Sequence, residues 1–240
     1  MKILAVDTST STACLGACDG PKNYEYNLQL GTRISALLVP AIKRMIQALG
    51  WGIEDIDCFA AGIGPGSFTG VRVGLATVKA LSWSLNKPAA GIPSLDILAR
   101  NAAPGHPFVI PVIDAKRGLV YCAVYKSSAG GEIKRATPYM LLRPEELNLK
   151  IRNVIPAKAL AQSAILGDGL NVCAAQSLPA LRNLMVLDKD HWRLEAGNLL
   201  ELAKSAAGAE KFSAAMSLDP LYLYPKECQI RLPLSNKRKP

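Results

Sequence analysis

Residues 64–74, GPGSFTGVRVG, constrain the fold more than any other stretch of the chain. They follow a short apolar run at residues 58–63 and precede the apolar stripe of an amphipathic helix. Glycine permits positive φ and close approach by another backbone, whereas Pro65 fixes one φ and removes one N–H donor. Whatever contacts this turn is therefore expected to come close to its main chain. The glycines are Gly64, Gly66, Gly70 and Gly74.

Two familiar catalytic uses of a glycine turn do not fit these residues. A phosphate-binding loop of the P-loop type has a lysine directly after its last glycine, but Gly70 is followed by Val71. A nucleophile elbow needs glycine two residues before and two after the serine, whereas Ser67 has Pro65 and Thr69 there. The sequence therefore predicts neither a P-loop nor a nucleophile elbow.

Two interpretations of the turn stay open. The amides of residues 67–70, with Arg72, could hold an anion at a helix N-terminus, or the turn could dock a partner. Gly70 and Gly74 lie four residues apart in the predicted helix, where each glycine costs about 1 kcal/mol in helix propensity. A second helix crossing closely there would explain that cost, so the glycines favour an interface.

Composition indicates a globular protein. Half of the 240 residues are hydrophobic, enough for a substantial core, and no run approaches the length of a membrane span. We expect a cytoplasmic chain without a signal peptide. The six cysteines contain no C-x-x-C pair and are predicted to be reduced core residues, and with only two histidines we expect no metal site.

The net charge of +9 favours a polyanionic partner. Five cations and one acid, Glu227, lie in the last fifteen residues, so an RNA-binding module is one reading and a solvated tail is the other. The cations are Lys226, Arg231, Lys237, Arg238 and Lys239.

The chain begins with a predicted strand, a hydroxyl-rich turn and two further strands. Asp7 ends the first strand and is followed by Thr8 and Ser9. An acid there could hold a hydrated metal or a phosphate, but a plain turn rich in Ser and Thr fits equally well. Residues 33–49 have helical spacing, with Pro40 either in the first turn or kinking the helix.

The later segments are predicted to repeat this plan. Ser94 is expected to cap a helix that runs to residue 103, and strands are expected at residues 108–113, 119–125 and 133–142. The first of these strands ends in Asp114, as the opening strand ends in Asp7. The sequence therefore predicts a duplicated α/β unit, with an N-terminal domain at residues 1–103 and a C-terminal domain at residues 104–240.

The duplication also supports an alternative function. If Asp7, Thr8 and Ser9 face Asp114 across a cleft between the two units, they could hold a nucleotide with a metal ion. The chain would then be a nucleotide-binding or hydrolytic enzyme.

The stretch GPGSFTGVRVGLATVKAL, with MKILAVDTSTSTACLG before it and VIDAKRGLVY after it, resembles the TsaB (formerly YeaZ) family. The resemblance implies two ribonuclease-H-like lobes of the actin-like ATPase type, the fold of sugar kinases, heat-shock proteins and actin. It also implies a non-catalytic subunit for threonylcarbamoyl modification of adenosine at position thirty-seven of tRNA.

The same resemblance implies partners and an interface. The expected partners are a TsaD-like catalytic subunit, a TsaE-like ATPase, a second copy of the chain, and tRNA through the complex. No firm cofactor is implied, although ATP or ADP with magnesium could be present in the complex. The implied interface residues are Leu37, Leu38, Ile42, Met45, Gly64, Pro65, Gly66, Ser67, Phe68, Thr69, Gly70, Val71, Arg72, Gly74 and Val78.

The chain departs from the family pattern in two places. Ile34 stands where many relatives have a histidine, and Tyr224 stands where many have an arginine. The first change removes the one residue that would correspond to a metal ligand, so a glycoprotease activity is not expected. The second puts in doubt any contact that the family arginine would make with a partner or a nucleic acid.

Overall fold

The computed structural model describes residues 1–29, 33–102, 105–128, 130–175, 183–209, 212 and 214–224. The basic C-terminal cations, Cys228 and the predicted boundary at residues 103–104 lie outside the described residues.

Strands and helices alternate along the chain in two similar series. The strands of the first series are β1 (Lys2–Asp7), β2 (Thr12–Asp19), β3 (Lys22–Gln29), β4 (Cys58–Gly64) and β5 (Ala89–Pro93). The strands of the second are β6 (Phe108–Lys116), β7 (Leu119–Cys122), β8 (Tyr125–Ser127), β9 (Ile133–Arg135), β10 (Met140–Leu142), β11 (Ala164–Leu166) and β12 (Met185–Val186). The helices are α1 (Ile34–Ala48), α2 (Phe68–Ser84), α3 (Ser94–Ala99), α4 (Pro144–Arg152), α5 (Ala157–Leu160), α6 (Leu170–Ala175) and α7 (Ala196–Gly208).

The two sheets share one strand order. The first runs β3-β2-β1-β4-β5, with β1 antiparallel to β2 and parallel to β4. The second runs β10-β7-β6-β11-β12, with β6 antiparallel to β7 and parallel to β11, and a small β8–β9 hairpin pairs with β6. This repeated order confirms the predicted α/β fold of two ribonuclease-H-like lobes.

Side-chain alternation along β1 explains why the first sheet is covered on both faces. Leu4 and Val6 point into a core formed with α1 and α2, whereas Ile3 and Ala5 point into a second core. That second core also receives side chains from α3, α7 and β6, so it lies between the two sheets. A third core, behind the second sheet, includes side chains of α4 and α6.

Helices α3 and α7 form the layer that the two lobes share. Helix α7 follows the second sheet in sequence but packs on β1, β2 and β3, whereas α3 follows the first sheet and packs on β6. The predicted boundary therefore falls between the strands of the two sheets, and its status as a boundary between independently folding units stays a prediction.

Several predicted elements differ in detail. Helix α3 ends at Ala99, and its N-cap is Pro93, so Ser94 is not the cap. Pro40 lies inside α1, beyond its first turn. The strand predicted at residues 133–142 is two strands, because β9 pairs with β8 whereas β10 pairs with β7. Likewise, β7 and β8 replace the single strand predicted at residues 119–125.

The predicted reduced cysteines are confirmed for the five that the structure describes. All five are free and buried, and burial raises the pKa of the Cys58 and Cys122 thiols to about 12. Both thiols are therefore protonated and unreactive at neutral pH. Within the described residues, no helix is long and apolar enough to cross a membrane.

Candidate functional site

The glycine turn lies on the residues that follow β1. Strand β4 ends at Gly64, whose φ of 87° suits a residue without a side chain. Ser67 caps α2, since its Oγ accepts a hydrogen bond from the Gly70 amide at 3.2 Å. The Ser67 amide in turn donates to the carbonyl of Ser9 at 2.7 Å. Main-chain atoms of the glycine turn thus hold the loop that follows β1.

The loop that follows β1 also explains why Gly70 and Gly74 of α2 are glycines. A Cβ on Gly70 would lie inside van der Waals distance of the Thr8 carbonyl oxygen, and a Cβ on Gly74 would overlap Thr8 Oγ1. The Thr8 hydroxyl donates to the Gly70 carbonyl at 2.7 Å. The prediction that these glycines admit a partner helix is wrong in its physical reason, because Thr8 of the same chain occupies that space.

Asp7 is enclosed beneath the turn. Its carboxylate accepts hydrogen bonds from the Ser9 amide at 2.6 Å and from Ser94 Oγ at 2.7 Å. Ser94 was predicted to cap α3, but its hydroxyl instead donates this hydrogen bond to Asp7. Asp7, Thr8 and Ser9 are all fully or almost fully buried, so the structure does not place them on a cleft surface.

The burial of Asp7 predicts an unusual pH dependence of stability. Desolvation raises the pKa of Asp7 above its usual 3.8, and the hydrogen bonds from Ser9 and Ser94 only partly offset it. The native state therefore holds this proton more tightly than the unfolded state does. The contribution of Asp7 to the free energy of unfolding must fall as pH rises from about 3.8 through the raised pKa.

We expect the free energy of unfolding of the Asp7→Asn variant to lack this decrease with rising pH. The variant should be at least as stable as the wild type at neutral pH. Urea unfolding across a range of pH measures the free energy of unfolding. The control is the variant Asp190→Asn, because Asp190 is exposed. Parallel stability profiles for the wild type and Asp7→Asn would contradict the assignment.

A cleft of about 380 Å³ lies between the glycine turn and the β6–β7 hairpin. Asp114 is the predicted acid that lines it, and its carboxylate is paired with Lys116 Nζ at 2.6 Å. Neither Asp7, Thr8 nor Ser9 is among its lining residues. The structure therefore does not bring the four residues of the predicted nucleotide site together. Among the described residues, no group of three or more potential metal-ligating side chains is present.

The segment 218–224, which we call the strap, closes one side of the cleft. The Leu221 amide donates to the Ile63 carbonyl at the end of β4 at 2.8 Å, and Lys79 Nζ donates to the Leu218 carbonyl at 2.7 Å. Arg72 Nε donates to the Tyr222 hydroxyl at 2.7 Å. These bonds hold the strap against α2 and β4 of the first lobe.

The two departures from the family pattern have structural roles. Ile34 is buried and packs with Ala13 at the start of α1. The Tyr224 hydroxyl donates to the Ala115 carbonyl at 2.9 Å, and its ring lies edge-on to Tyr121 with centroids 6.2 Å apart. Tyr224 therefore binds the end of the strap to the β6–β7 hairpin.

The predicted interface residues divide into two sets. Gly66 is half-buried, and five others are exposed: Leu37, Ser67, Phe68, Thr69 and Arg72. The remaining nine are buried, so they are not available as surface contacts in this structure. These nine are Leu38, Ile42, Met45, Gly64, Pro65, Gly70, Val71, Gly74 and Val78.

Besides the predicted interface residue Leu37, the outer surface of α1 and α2 carries exposed apolar residues that sequence reasoning missed. On α1, Leu37 and Val39 are 40% and 58% exposed, and on α2 Trp83 is 74% exposed. Ala76 and Ala80 are also exposed and lie on the same stripe of α2 as Trp83. We call these five residues the α1–α2 face. The spacing 76, 80, 83 is a helical stripe that could have been read from the sequence, but Trp83 also fits a core position.

Comparison with known proteins identifies the family. A family model described as TsaD, tRNA N6-adenosine threonylcarbamoyltransferase, matches residues 32–211. The chain is 34% identical over 131 residues to "tRNA threonylcarbamoyladenosine biosynthesis protein TsaB" of Bacillus subtilis, a match that covers 54% of this chain and 57% of that protein. It is 32% identical over 158 residues to the protein of the same name in Escherichia coli, covering 64% and 68%.

A solved structure extends the match to almost the whole chain. "YeaZ from Pseudomonas aeruginosa" superposes with a TM-score of 0.79 at 27% identity, covering 92% of this chain and 99% of that one. The sequence alignments span little more than half to two thirds of the curated relatives, so activity and partners are proposed below. The chain therefore belongs to the TsaD family of the matching model and, within it, to the TsaB (YeaZ) proteins.

Proposed function

We propose that the chain is a non-catalytic subunit that binds and stabilises a TsaD-like catalytic subunit in threonylcarbamoyl modification of adenosine 37 of tRNA. The family supports the pathway. The single structural observation that carries the proposal is the α1–α2 face, whose apolar side chains have no covering element among the described residues. Exposed apolar side chains on neighbouring helices favour a protein–protein interaction site.

The shape of this face also suits a protein partner. A groove of about 290 Å³ runs between α1, α2 and the segment after α1, lined by Val39, Ile46, Trp51 and Leu81 among others. A side chain of a partner helix could enter this groove. Aromatic residues that become buried in this way contribute most of the binding energy in many interfaces.

The non-catalytic assignment rests on what the candidate catalytic residues do in the fold. Asp7 accepts hydrogen bonds from Ser9 and Ser94 inside the core, and the Thr8 hydroxyl is bonded to Gly70. Asp114 is paired with Lys116 at the edge of the cleft. Each has a structural partner, which supports a binding role over a catalytic one.

Further partners follow from the family resemblance and remain part of the proposal. A TsaE-like ATPase joins the pair, a second copy of the chain uses the same α1–α2 face, and tRNA is reached through the complex. The proposal includes no firm cofactor, although the assembled complex could hold ATP or ADP with magnesium. A tRNA-modifying role places the chain in the cytoplasm.

Sedimentation of the chain mixed with its cognate TsaD-like subunit tests the proposal. We expect a stable heterodimer and a fall in the fraction of self-associated chain as the partner is added, because both use one face. A mixture that sediments as two independent species at micromolar concentration would contradict the proposal.

A further inference from the structure

Strand β3 is the longest edge strand of the two sheets as the structure describes them. It has eight residues, whereas the edge strands β5, β9, β10 and β12 have five, three, three and two. Natural sheets usually keep their edges short or interrupt them with proline or a β-bulge. β3 contains neither proline nor glycine, and its register with β2 is unbroken from Lys22 to Gln29. Such an edge favours the addition of another strand.

The β2–β3 loop determines which main-chain groups face the open edge. Gly20 and Pro21 lie between the paired residues Asp19 and Lys22, and Gly20 has a φ of 55°. In a two-residue hairpin the residues that flank the loop exchange both main-chain hydrogen bonds, and such pairs alternate along antiparallel strands. The N–H and C=O groups of even-numbered residues in β3 therefore bond to β2. Within the described chain β3 pairs with β2 alone, so the odd-numbered residues direct these groups outward: Asn23, Glu25, Asn27 and Gln29.

The side chains of β3 contact elements on the two faces of the sheet. The Tyr24 ring lies edge-on to Trp51, with centroids 5.9 Å apart. The Glu25 carboxylate lies at the start of α7, where a Cβ on Gly197 would be 2.7 Å from Glu25 Oε1, and the helix N-terminus favours a negative charge. Tyr26 is 38% exposed. These contacts leave the outward main-chain groups of β3 unused.

β3 is self-complementary in one of its two longest registers. In an antiparallel pair, outward-facing residues oppose only outward-facing residues, so odd numbers oppose odd and even numbers oppose even. The two longest pairings of β3 with a second copy are therefore centred on Glu25 or on Tyr26. Centring on Glu25 opposes two carboxylates, which is destabilising. Centring on Tyr26 pairs residues 23–29 of both copies, with Tyr26 opposite Tyr26 and Glu25 opposite Asn27, whose amide can donate to the carboxylate.

We propose that two copies of the chain pair antiparallel through β3, centred on Tyr26, so that their first sheets form one continuous sheet. Strand addition of this kind uses main-chain hydrogen bonds for affinity. The pairing shares no residue with the α1–α2 face and does not depend on the proposed function. A single added strand is a small interface, so this self-association should be weak and should appear at concentrations well above the micromolar range.

Disulfide trapping of Tyr26→Cys tests the register in the full chain. Opposed residues that do not hydrogen-bond to each other have Cα atoms about 4.5 Å apart, within the range of a disulfide. We expect a covalent dimer under mild oxidation of the concentrated protein. Lys22→Cys is the matched control, because residue 22 is exposed and its two copies would lie at opposite ends of the pair.

Both cysteine variants carry Trp83→Glu, which removes association through the α1–α2 face. The Trp83→Glu chain with its native cysteines alone measures any background of oxidised dimer. No covalent dimer from Tyr26→Cys above this background, or equal yields from Tyr26→Cys and Lys22→Cys, would overturn the pairing.

A charge-swap experiment tests the same register without a covalent bond. Tyr26→Lys and Tyr26→Glu should each lose self-association, because like charges would then face each other, whereas an equimolar mixture should recover it. Tyr26→Phe keeps the aromatic pair and should associate as the parent chain does. Sedimentation of the concentrated protein in the Trp83→Glu background measures all four samples. Recovery in the mixture also shows that both charged variants are folded, and undiminished association of either single variant would overturn the register.

Amide hydrogen exchange followed by NMR identifies the occupant of the edge. Protection of the outward amides of β3 that rises with chain concentration supports a second copy. Protection that appears only when the TsaD-like subunit is added would overturn that choice. Failure of the wild type to bind this subunit, with covalent dimer still formed by Tyr26→Cys, would overturn the proposed function alone.

Discussion

Replacing Gly70 by alanine is expected to lower the free energy of unfolding by about 3 kcal/mol, the upper part of the range for overpacked sites. At an ordinary helix position the same change would stabilise the protein by about 1 kcal/mol. The sign reverses because the new Cβ would overlap the Thr8 carbonyl oxygen, which belongs to the backbone and cannot rotate away. Chemical denaturation of the purified variant measures the effect.

Gly74 provides a matched test of the same packing. Its Cβ would meet the Thr8 side chain, so Gly74→Ala should be destabilising alone and partly rescued by Thr8→Ala. The rescue should appear as a non-additive term in the double-mutant cycle. A stabilised Gly70→Ala variant, or strict additivity of Gly74→Ala and Thr8→Ala, would contradict the packing that we describe.

This result would also change how interface variants at the glycine turn are interpreted. If Gly74 admitted a partner helix, as the sequence alone favours, a bulky residue there would abolish complex formation and leave the monomer folded. The structure predicts that such a residue disrupts the monomer first, because Thr8 lies against that position. A test of partner binding must therefore use residues whose side chains are exposed.

Replacing Trp83 by glutamate is expected to weaken binding of the TsaD-like subunit by about 2–4 kcal/mol, or roughly 30- to 1000-fold. Burying a charge against an apolar partner surface adds to the loss of the indole contact. Because Trp83 is 74% exposed, the stability of the monomer should change by no more than about 0.5 kcal/mol. Isothermal titration with the partner subunit, beside urea unfolding of the free chain, separates the two effects.

Leu149→Glu is the matched control for this variant. Leu149 is 63% exposed on α4, which lies behind the second sheet and away from the α1–α2 face. We expect unchanged partner affinity for Leu149→Glu and reduced affinity for Val39→Glu, which lies on the face. Equal losses for the Trp83, Val39 and Leu149 variants would point to a non-specific effect of added charge and would reject the α1–α2 face.

Local sequence signals were sufficient for most of the fold. Helical spacing predicted α1 within one residue at each end, and the apolar runs before Asp7 and Asp114 predicted β1 and β6. The repetition of these runs predicted the duplicated unit. These signals succeed because the period of apolar residues follows directly from which face of an element is buried.

The candidate site was predicted less well because its details depend on tertiary contacts. The sequence shows that Gly70 and Gly74 need space, but it cannot show that Thr8 fills that space. It shows that Ser94 begins a helix, but not that its hydroxyl is bonded to Asp7, 87 positions earlier in the chain. Nor could spacing alone separate buried Leu38 from exposed Leu37, since both lie on the apolar side of the helical pattern.

Reconstitution of tRNA modification tests the central claim most directly. The cognate TsaD-like subunit, with the rest of its machinery and unmodified tRNA, is assayed for threonylcarbamoyl adenosine with the wild-type chain, with Trp83→Glu, and without the chain. We predict modification with the wild type, strong loss with Trp83→Glu that excess variant partly restores, and none without the chain. Equal modification in the absence of the chain would contradict the claim that it is a required binding subunit.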